Sequence, residues 1–347
     1  MARRRTNPVG RFIVLLVLLG AGAWVVRAWM NARGDDQAPT TAEGAPASAD
    51  EDAAPALRLG ASPPPTSAPS PRPDPPAPVT PPPADATDEQ VAEARGAYNR
   101  GCAHQADGDL VEARRLLSRA LASGLLTPKA GADCRDRLNA IAAKLVFSPE
   151  IHPDDPYSRE YRVKAGDKLS TIVDREKLDV PWEGIARING IDDPTKLRFG
   201  RRLKLVTGPF DAIITKHAYT LDLYHHEMFV AGFRIGLGQN GSTPTGRWLV
   251  RDRVRAAPWT PPPDSEQTGV IECGEPGYPL GREGLWIALQ GLDPANEMVR
   301  GFGIHGTNEP ESIGRQASLG CVRLADDDIA LLFDLLYRGN STVEVRP

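Results

Sequence analysis

Apolar and polar positions divide the chain into five stretches. The first is an apolar run from Phe12 to Val26, with no acid before Asp35. As a helix, its fifteen residues reach about 22 Å, short of the roughly 30 Å hydrocarbon core of a bilayer. Ala28, Trp29 and Met30 complete the length if Arg27 extends its head group to the far interface. Arg3, Arg4, Arg5 and Arg11 precede the run. It predicts either a transmembrane anchor with the arginines in the cytoplasm or a cleaved signal peptide with Ala21-Gly22-Ala23 as the small-residue site. Both readings export the rest of the chain. The first makes residues 1–31 an inner-membrane anchor, with a periplasmic bulk in the cell envelope.

Residues 32–86 show no periodicity. They are dominated by Ala, Pro, Ser, Thr and Asp, and include Ser62-Pro63-Pro64-Pro65 and Pro81-Pro82-Pro83. Such a composition cannot bury enough apolar surface to offset its ordering entropy. The segment predicts a disordered tether, extended at about 3.1 Å per residue and reaching on the order of 100 Å.

Helical spacing begins in residues 87–147. Leu110, Ala113, Leu116, Leu117, Ala120 and Leu121 recur at three- and four-residue intervals. Thr87 with Gln90, and Asp109 with Glu112, have capping-box spacing. Thr127-Pro128 places proline at a first helical position. Gly101 through Ala120 resembles one tetratricopeptide-like helix pair. One repeat alone seldom makes an array, so the segment predicts a small helical spacer rather than a partner-binding module. Cys102 and Cys134 fall here, either disulfide-paired in an oxidising space or buried as free thiols.

Residues 159–207 change period twice. Tyr161-Arg162-Val163 reads as a strand, Gly166-Asp167 as a turn with Asp167 capping the next helix, and Asn189-Gly190 as the end of a second helix. Leu203 to Val206 closes the unit as a strand, giving the order βααβ. From residue 209 onward alternation prevails. Strands are predicted at Ala212–Lys216, Tyr219–Tyr224, Met228–Leu237, Leu285–Leu289, Phe302–His305 and Thr342–Val345. A helix is predicted near Asp326–Tyr337, and a long loop over Ala257–Gly284. The last domain is therefore mostly β.

Composition narrows the chemistry. The net charge is −4, without the basic face of a nucleic-acid binder. Four cysteines in 347 residues make no disulfide-dense scaffold, and no Cys-x-x-Cys suggests zinc. His225-His226-Glu227 at a hairpin tip lacks helical ligand spacing, so neither a metal nor a cofactor is expected. No Ser-x-x-Lys or Gly-x-Ser-x-Gly supports a serine mechanism. What remains is His305, at the end of a strand in Ile304-His305-Gly306-Thr307, and Cys321, sixteen residues later, in Ser318-Leu319-Gly320-Cys321-Val322-Arg323-Leu324. A thiol is only a few per cent ionised at neutral pH. An imidazole within reach can take its proton and later return it to a leaving amine.

Two resemblances build on these residues. Tyr161 through Val173, the Leu178–Asn189 stretch and Leu197 through Val206 together resemble a LysM domain. That implies binding of N-acetylglucosamine-containing glycans such as peptidoglycan. The implied contacts are Gly166, Asp167, Lys168 and Leu169 in one loop, and Gly190, Ile191, Asp192 and Asp193 in the other. The His305 and Cys321 motifs, with Thr243-Pro244-Thr245-Gly246 and Tyr278-Pro279-Leu280-Gly281, resemble the YkuD family of L,D-transpeptidases over roughly 209–347. This implies a mixed β-sheet sandwich with a helix. It also implies Cys321 as nucleophile, His305 as base and acid, and Gly306 orienting the imidazole. Amides near Gly320, Cys321 and Gly301 would hold the oxyanion, while Ser318 and Arg323 would shape the site or bind a substrate carboxylate. Implied partners are peptidoglycan stems and, as inhibitor, a carbapenem-type β-lactam. The acyl acceptor stays open between a second stem, water and a lipoprotein lysine. A non-enzymatic wall-binding protein with a degenerate catalytic domain is the alternative. Leu319 departs from many relatives, which carry His there. Cys273 matches no motif.

Overall fold

The computed structural model describes residues 86–261 and 269–347. The anchor-or-signal run and the Pro-rich tether up to residue 85 lie outside the described residues. Among the described residues, no helix is long and apolar enough to cross a membrane.

Three helices come first: α1 (Asp88–Ala106), α2 (Leu110–Ala122) and α3 (Pro128–Leu145). Both halves of the Thr87–Gln90 capping box form, at 2.9 and 3.3 Å. Only half of the second box forms. Asp109 accepts from the Glu112 amide, but the Glu112 carboxylate turns to Arg115, a stronger partner than a backbone N–H. Cys102 and Cys134 are both free thiols, which removes the disulfide alternative. Cys134 is fully buried, and its thiol donates to Leu117 O at 3.3 Å.

The next unit is β1 (Ser158–Arg162), α4 (Leu169–Glu176), α5 (Trp182–Ile188) and β2 (Arg202–Val206). Its strands pair antiparallel from Ser158↔Val206 to Arg162↔Arg202, giving the expected βααβ order. The first strand begins earlier than the sequence pattern suggested. Asp167 does not cap α4, because the N-cap position is Lys168. The Asp167 carboxylate instead accepts from Lys164 N at 2.8 Å and Tyr161 Oη at 2.7 Å. With Arg175, which also donates to it at 3.1 Å, three nearby donors outcompete the helix end.

The remainder forms β3 (Phe210–Thr215), β4 (Thr220–His225), β5 (Met228–Arg234), β6 (Leu237–Gly238), β7 (Gly246–Val254), β8 (Trp286–Gly291), β9 (Gly303–Gly306), β10 (Gln316–Ser318), β11 (Val322–Leu324), α6 (Asp326–Leu335) and β12 (Thr342–Arg346). Eight strands make one mixed sheet in the order β11-β9-β8-β7-β12-β3-β4-β5. The β11–β9 and β12–β3 pairs are parallel. A small parallel β10–β6 pair stands apart. The central strand β7 escaped the sequence pattern because Leu249 is apolar on its outward face and a register shift after Val250, with Asp252 next, interrupts its inward one. It buries Trp248 and Val250 while Arg247 and Arg251 stay exposed.

The helical segment is not a spacer. Helices α2 and α3 pack against β5 and place polar links into the sheet. Ser118 Oγ accepts from Phe229 N at 3.1 Å. Arg135 holds Asp222 through two hydrogen bonds of 2.8 and 2.7 Å. The βααβ unit is fastened similarly. Lys204, 1% exposed, donates from Nζ to the carbonyls of Leu145, Ser148 and Glu150, so it satisfies the last carbonyl of α3 and two just beyond the helix. Burial pushes its ammonium down to about 8. Gly184 in α5 lies so close to α6 that an added Cβ would stand 2.3 Å from Asp334 O. Beside that contact Arg187 Nε donates to the Asp334 carboxylate at 2.7 Å.

The Arg135–Asp222 pair is largely withdrawn from solvent, at 17% and 9% side-chain exposure. Removing one partner of a buried pair leaves an uncompensated charge. Arg135→Leu should therefore lower unfolding free energy by about 3 kcal/mol in urea titrations. A change within about 0.5 kcal/mol would mean that apolar packing alone holds the helices to the sheet.

Candidate active site

Strand β9 is short and buried throughout, and β11 pairs with it in parallel, setting Val322 opposite Ile304 and Arg323 opposite His305. Alternation along a strand then puts His305, Arg323 and the preceding Cys321 toward one face. All three line a groove of about 500 Å³. Its walls are largely apolar and include Ala257, Pro258, Trp259, Pro279, Leu280 and Leu319. Leu319, 76% exposed, also lines the groove.

His305 is 5% exposed. Its Nδ1–H donates to Gly306 O at 2.6 Å, which fixes the tautomer and leaves Nε2 as an acceptor. The ring stacks on Trp286 at 5.4 Å between centroids and 14° between planes. Burial pushes the imidazole down to about 4. The Gly306 carbonyl opposes the shift and the Arg323 charge adds to it. The ring is therefore neutral at pH 7.

The Cys321 thiol donates to Gly301 O at 3.5 Å. It shares the groove with His305 without a hydrogen bond between them. Burial raises the thiol above its ordinary value, partly offset by the Gly303 backbone and by Arg323. The resting site thus holds a neutral thiol beside a neutral imidazole, not an ion pair. Gly301 presents its carbonyl to the sulfur rather than the amide expected from the sequence.

The Cys321 loop is braced from both sides. Ser318 Oγ donates to Cys321 O at 2.6 Å and accepts from Gly320 N at 3.2 Å. The Gly320 amide is therefore already engaged, which leaves the Cys321 amide as the nearer free donor. Thr243, 1% exposed, accepts from Gly238 N and donates to Gly320 O at 2.9 Å. This explains the Thr243-Pro244-Thr245-Gly246 motif: it props up the backbone of the nucleophile loop. The second motif forms the groove wall, and its Tyr278 carbonyl accepts from Asn308 Nδ2 at 2.9 Å. The Arg323 guanidinium already binds Glu309 at 2.5 Å, so a substrate carboxylate would have to compete for it. Cys273 packs against the small apolar cluster of Ala257, Tyr278 and Leu280 and does not line the groove itself. His225 and His226 both direct Nε2 to Thr207 O, at 2.7 and 2.9 Å, and serve as fold contacts.

The glycan loops of the βααβ unit divide. Gly166, Lys168, Gly190 and Asp192 are exposed. Leu169 and Ile191 are buried, at 2% and 9% exposure, and their side chains belong to the core rather than to a ligand surface. Apolar side chains at a helix start and after a helix end are drawn inward by the same burial that forms the unit. Asp193 accepts from Thr195 N at 3.0 Å, and its hydrogen bonds to Thr195 and Lys196 hold its carboxyl down to about 2. Asp167 is likewise held down to about 2, first by the Lys164 amide. Both acids shape turns.

Sequence reasoning missed Trp286 and Thr243 as site residues. Trp286 carried a usable signal, since it stands in a predicted strand and a neighbour of an antiparallel partner is fixed by register. Thr243 carried none beyond its motif.

Comparison with known proteins matches residues 211–345 to the L,D-transpeptidase catalytic domain, YkuD, and residues 161–206 to the LysM domain. The chain is 28% identical over 194 residues to the Bacillus subtilis protein named "Putative L,D-transpeptidase YkuD", covering 52% of this chain and 94% of that one. It is 34% identical over 112 residues to the Escherichia coli protein named "Probable L,D-transpeptidase ErfK/SrfK", covering 29% of this chain and 33% of that one. With the B. subtilis protein YqjB the identity is 42% over 69 residues, 20% of this chain and 36% of that one. The matches to ErfK/SrfK and YqjB thus span about a third of each relative's length. A solved L,D-transpeptidase from Mycobacterium smegmatis aligns with a TM-score of 0.32 at 15% identity, covering 43% of this chain and 64% of its own. Residues 211–345 are thus an L,D-transpeptidase catalytic domain, preceded by a LysM domain.

A neutral thiol beside a neutral imidazole has a pH signature. Alkylation of Cys321 by iodoacetamide, followed by peptide mass mapping, should be slower at pH 7 than that of a free thiol and should climb through pH 9. A rate already flat from pH 5 upward would instead reveal a resting thiolate–imidazolium pair. Acylation by a reactive acyl donor should fall off only near pH 4, as His305 becomes protonated and loses its capacity to accept.

Proposed function

We propose that the protein is a peptidoglycan L,D-transpeptidase working through a Cys321 thioester. The observation that carries this reading is a half-buried thiol and an imidazole opening into one groove, the imidazole with Nδ1 bound to Gly306 O and Nε2 left to accept. Catalytic hydrogen bonds often tighten only when substrate arrives. The gap between Cys321 and His305 in the free site is compatible with that. It is also the one observation that favours the alternative, a wall-binding protein whose catalytic domain only docks.

In the proposed reaction, a tetrapeptide stem lies in the groove with the bond after its third residue, diaminopimelate, over the sulfur. Sulfur attacks the carbonyl carbon while its proton passes to His305 Nε2. The Cys321 amide donates to the developing oxyanion; one such donor typically contributes about 10²–10³ in rate. Collapse breaks the C–N bond, and His305 returns the proton to the departing amine of the terminal D-alanine. A thioester remains. The side-chain amine of a second stem attacks it and passes a proton to His305. The Cys321 thiolate leaves and is reprotonated, and a 3→3 cross-link has formed. Water in place of the amine would give an L,D-carboxypeptidase.

The LysM domain supports peptidoglycan as the polymer, and holding it beside the catalyst raises effective concentration to as much as about mM. Gly166, Lys168, Gly190 and Asp192 are the exposed positions through which its loops would meet a glycan. The reading places the chain in the cell envelope, with the apolar N-terminal run as its tether.

Intact-mass measurement after incubation with a carbapenem tests the site directly. The expected result is one covalent adduct on the wild-type chain, mapped to the Cys321 peptide and absent from Cys321→Ala. An unmodified wild-type chain under conditions where its fold is intact would support the docking-only alternative.

A further inference from the structure

We propose that Trp286 is the positioning residue for the His305 imidazole, holding the ring in the orientation that presents Nε2 to the groove. This rests on the reading of His305 as the catalytic base. Trp286 and His305 are direct cross-strand neighbours in the β8–β9 pair. Their rings lie nearly parallel, at 14° and 5.4 Å. The stack is built into the backbone: an added Cβ at Gly303, two residues before His305, would stand 2.7 Å from Trp286 Cζ2. Only a residue without a side chain lets the indole lie there.

The geometry explains why a second restraint is needed. The hydrogen bond from Nδ1 to Gly306 O fixes one edge of the imidazole but leaves rotation about that bond. A flat indole against the face removes the rotation. The free thiol makes no hydrogen bond to the ring, so Cys321 supplies no restraint of its own before substrate arrives. Among the described residues, Trp286 provides the aromatic stack on that ring. Trp286 lines the Cys321 groove and also a second hollow of about 210 Å³ beside Arg251 and Arg300. A residue that only shaped the groove would therefore act on substrate affinity, whereas a positioning residue acts on the chemical step.

The test uses the full chain with Trp286→Leu and Trp286→Phe, reading carbapenem acylation as maximal rate and half-saturating concentration across pH, with circular dichroism to establish folding. Trp286→Leu should lose about 10²-fold in maximal rate, the scale of a misplaced catalytic group, with the half-saturating concentration nearly unchanged. Trp286→Phe, which keeps a flat face, should recover most of that loss. A separate readout does not depend on activity. Tryptophan fluorescence of the wild type should show a quenching transition in acid as His305 protonates against the indole, and the transition should vanish in both Trp286→Phe and His305→Gln. Should Trp286→Leu fail to fold, the Phe variant and the titration still decide. A leucine variant with an unchanged maximal rate, an effect confined to half-saturation, or an acid transition that survives His305→Gln overturns the proposal. A wild type that shows the titration yet forms no adduct would instead sink the catalytic reading and leave the stack standing.

Discussion

The parallel pairing of β11 with β9 is the constraint on which the site depends. Two residues sixteen positions apart reach one face of one sheet only because Arg323 falls opposite His305 and Val322 opposite Ile304. A one-residue slip would turn every side chain of β11 to the other face and bury Arg323 in place of Val322. The register is held from both ends. Arg323 exchanges backbone hydrogen bonds with Gly236 in both directions, at 2.8 and 2.9 Å, and its guanidinium binds Glu309 in the connecting segment. Beyond the strand, Ser318 and Thr243 fix the loop carrying the thiol.

The site then works by what it withholds. Burial keeps both reacting groups neutral, so no preformed thiolate is exposed to adventitious electrophiles. The proton must move as the sulfur attacks, and the acceptor for it is set by one hydrogen bond to a backbone carbonyl. Apolar groove walls lower the local dielectric and strengthen each remaining dipole. The helical segment is joined to this domain through Arg135 with Asp222 and the LysM segment through Arg187 with Asp334, while Lys204 ties the LysM segment to the end of the helical segment through three carbonyls. The catalytic sheet and the LysM domain therefore come as a packed assembly rather than as beads on flexible links.

Much of this was legible in the sequence, for reasons that particular residues show. Thr87, Gln90, Thr127 and Pro128 act locally, so their caps could be read from spacing alone. His305 and Cys321 stood out because their glycine-flanked motifs kept their order and interval. Strand β7 was not legible, because Leu249 places an apolar residue on the face of Arg247 and Arg251, and Asp252 and a register shift after Val250 interrupt the face of Trp248 and Val250. The fastening role of α2 and α3 was hidden as well. A helix with one apolar stripe looks the same whether it covers a sheet or a partner, and Asp222 lies far away in sequence. Leu169 and Ile191 illustrate a limit of motif transfer: loop positions named for ligand contact can carry side chains that the core has taken.

Product analysis on isolated muropeptides tests the central claim most directly. Purified tetrapeptide stems incubated with the full chain, then resolved by liquid chromatography and tandem mass spectrometry, should yield dimers joined between two third-position residues, with free D-alanine released in equal amount. Neither product should arise with Cys321→Ala. Unchanged stems with the wild-type chain, or dimers that persist without the Cys321 sulfur, would contradict the account.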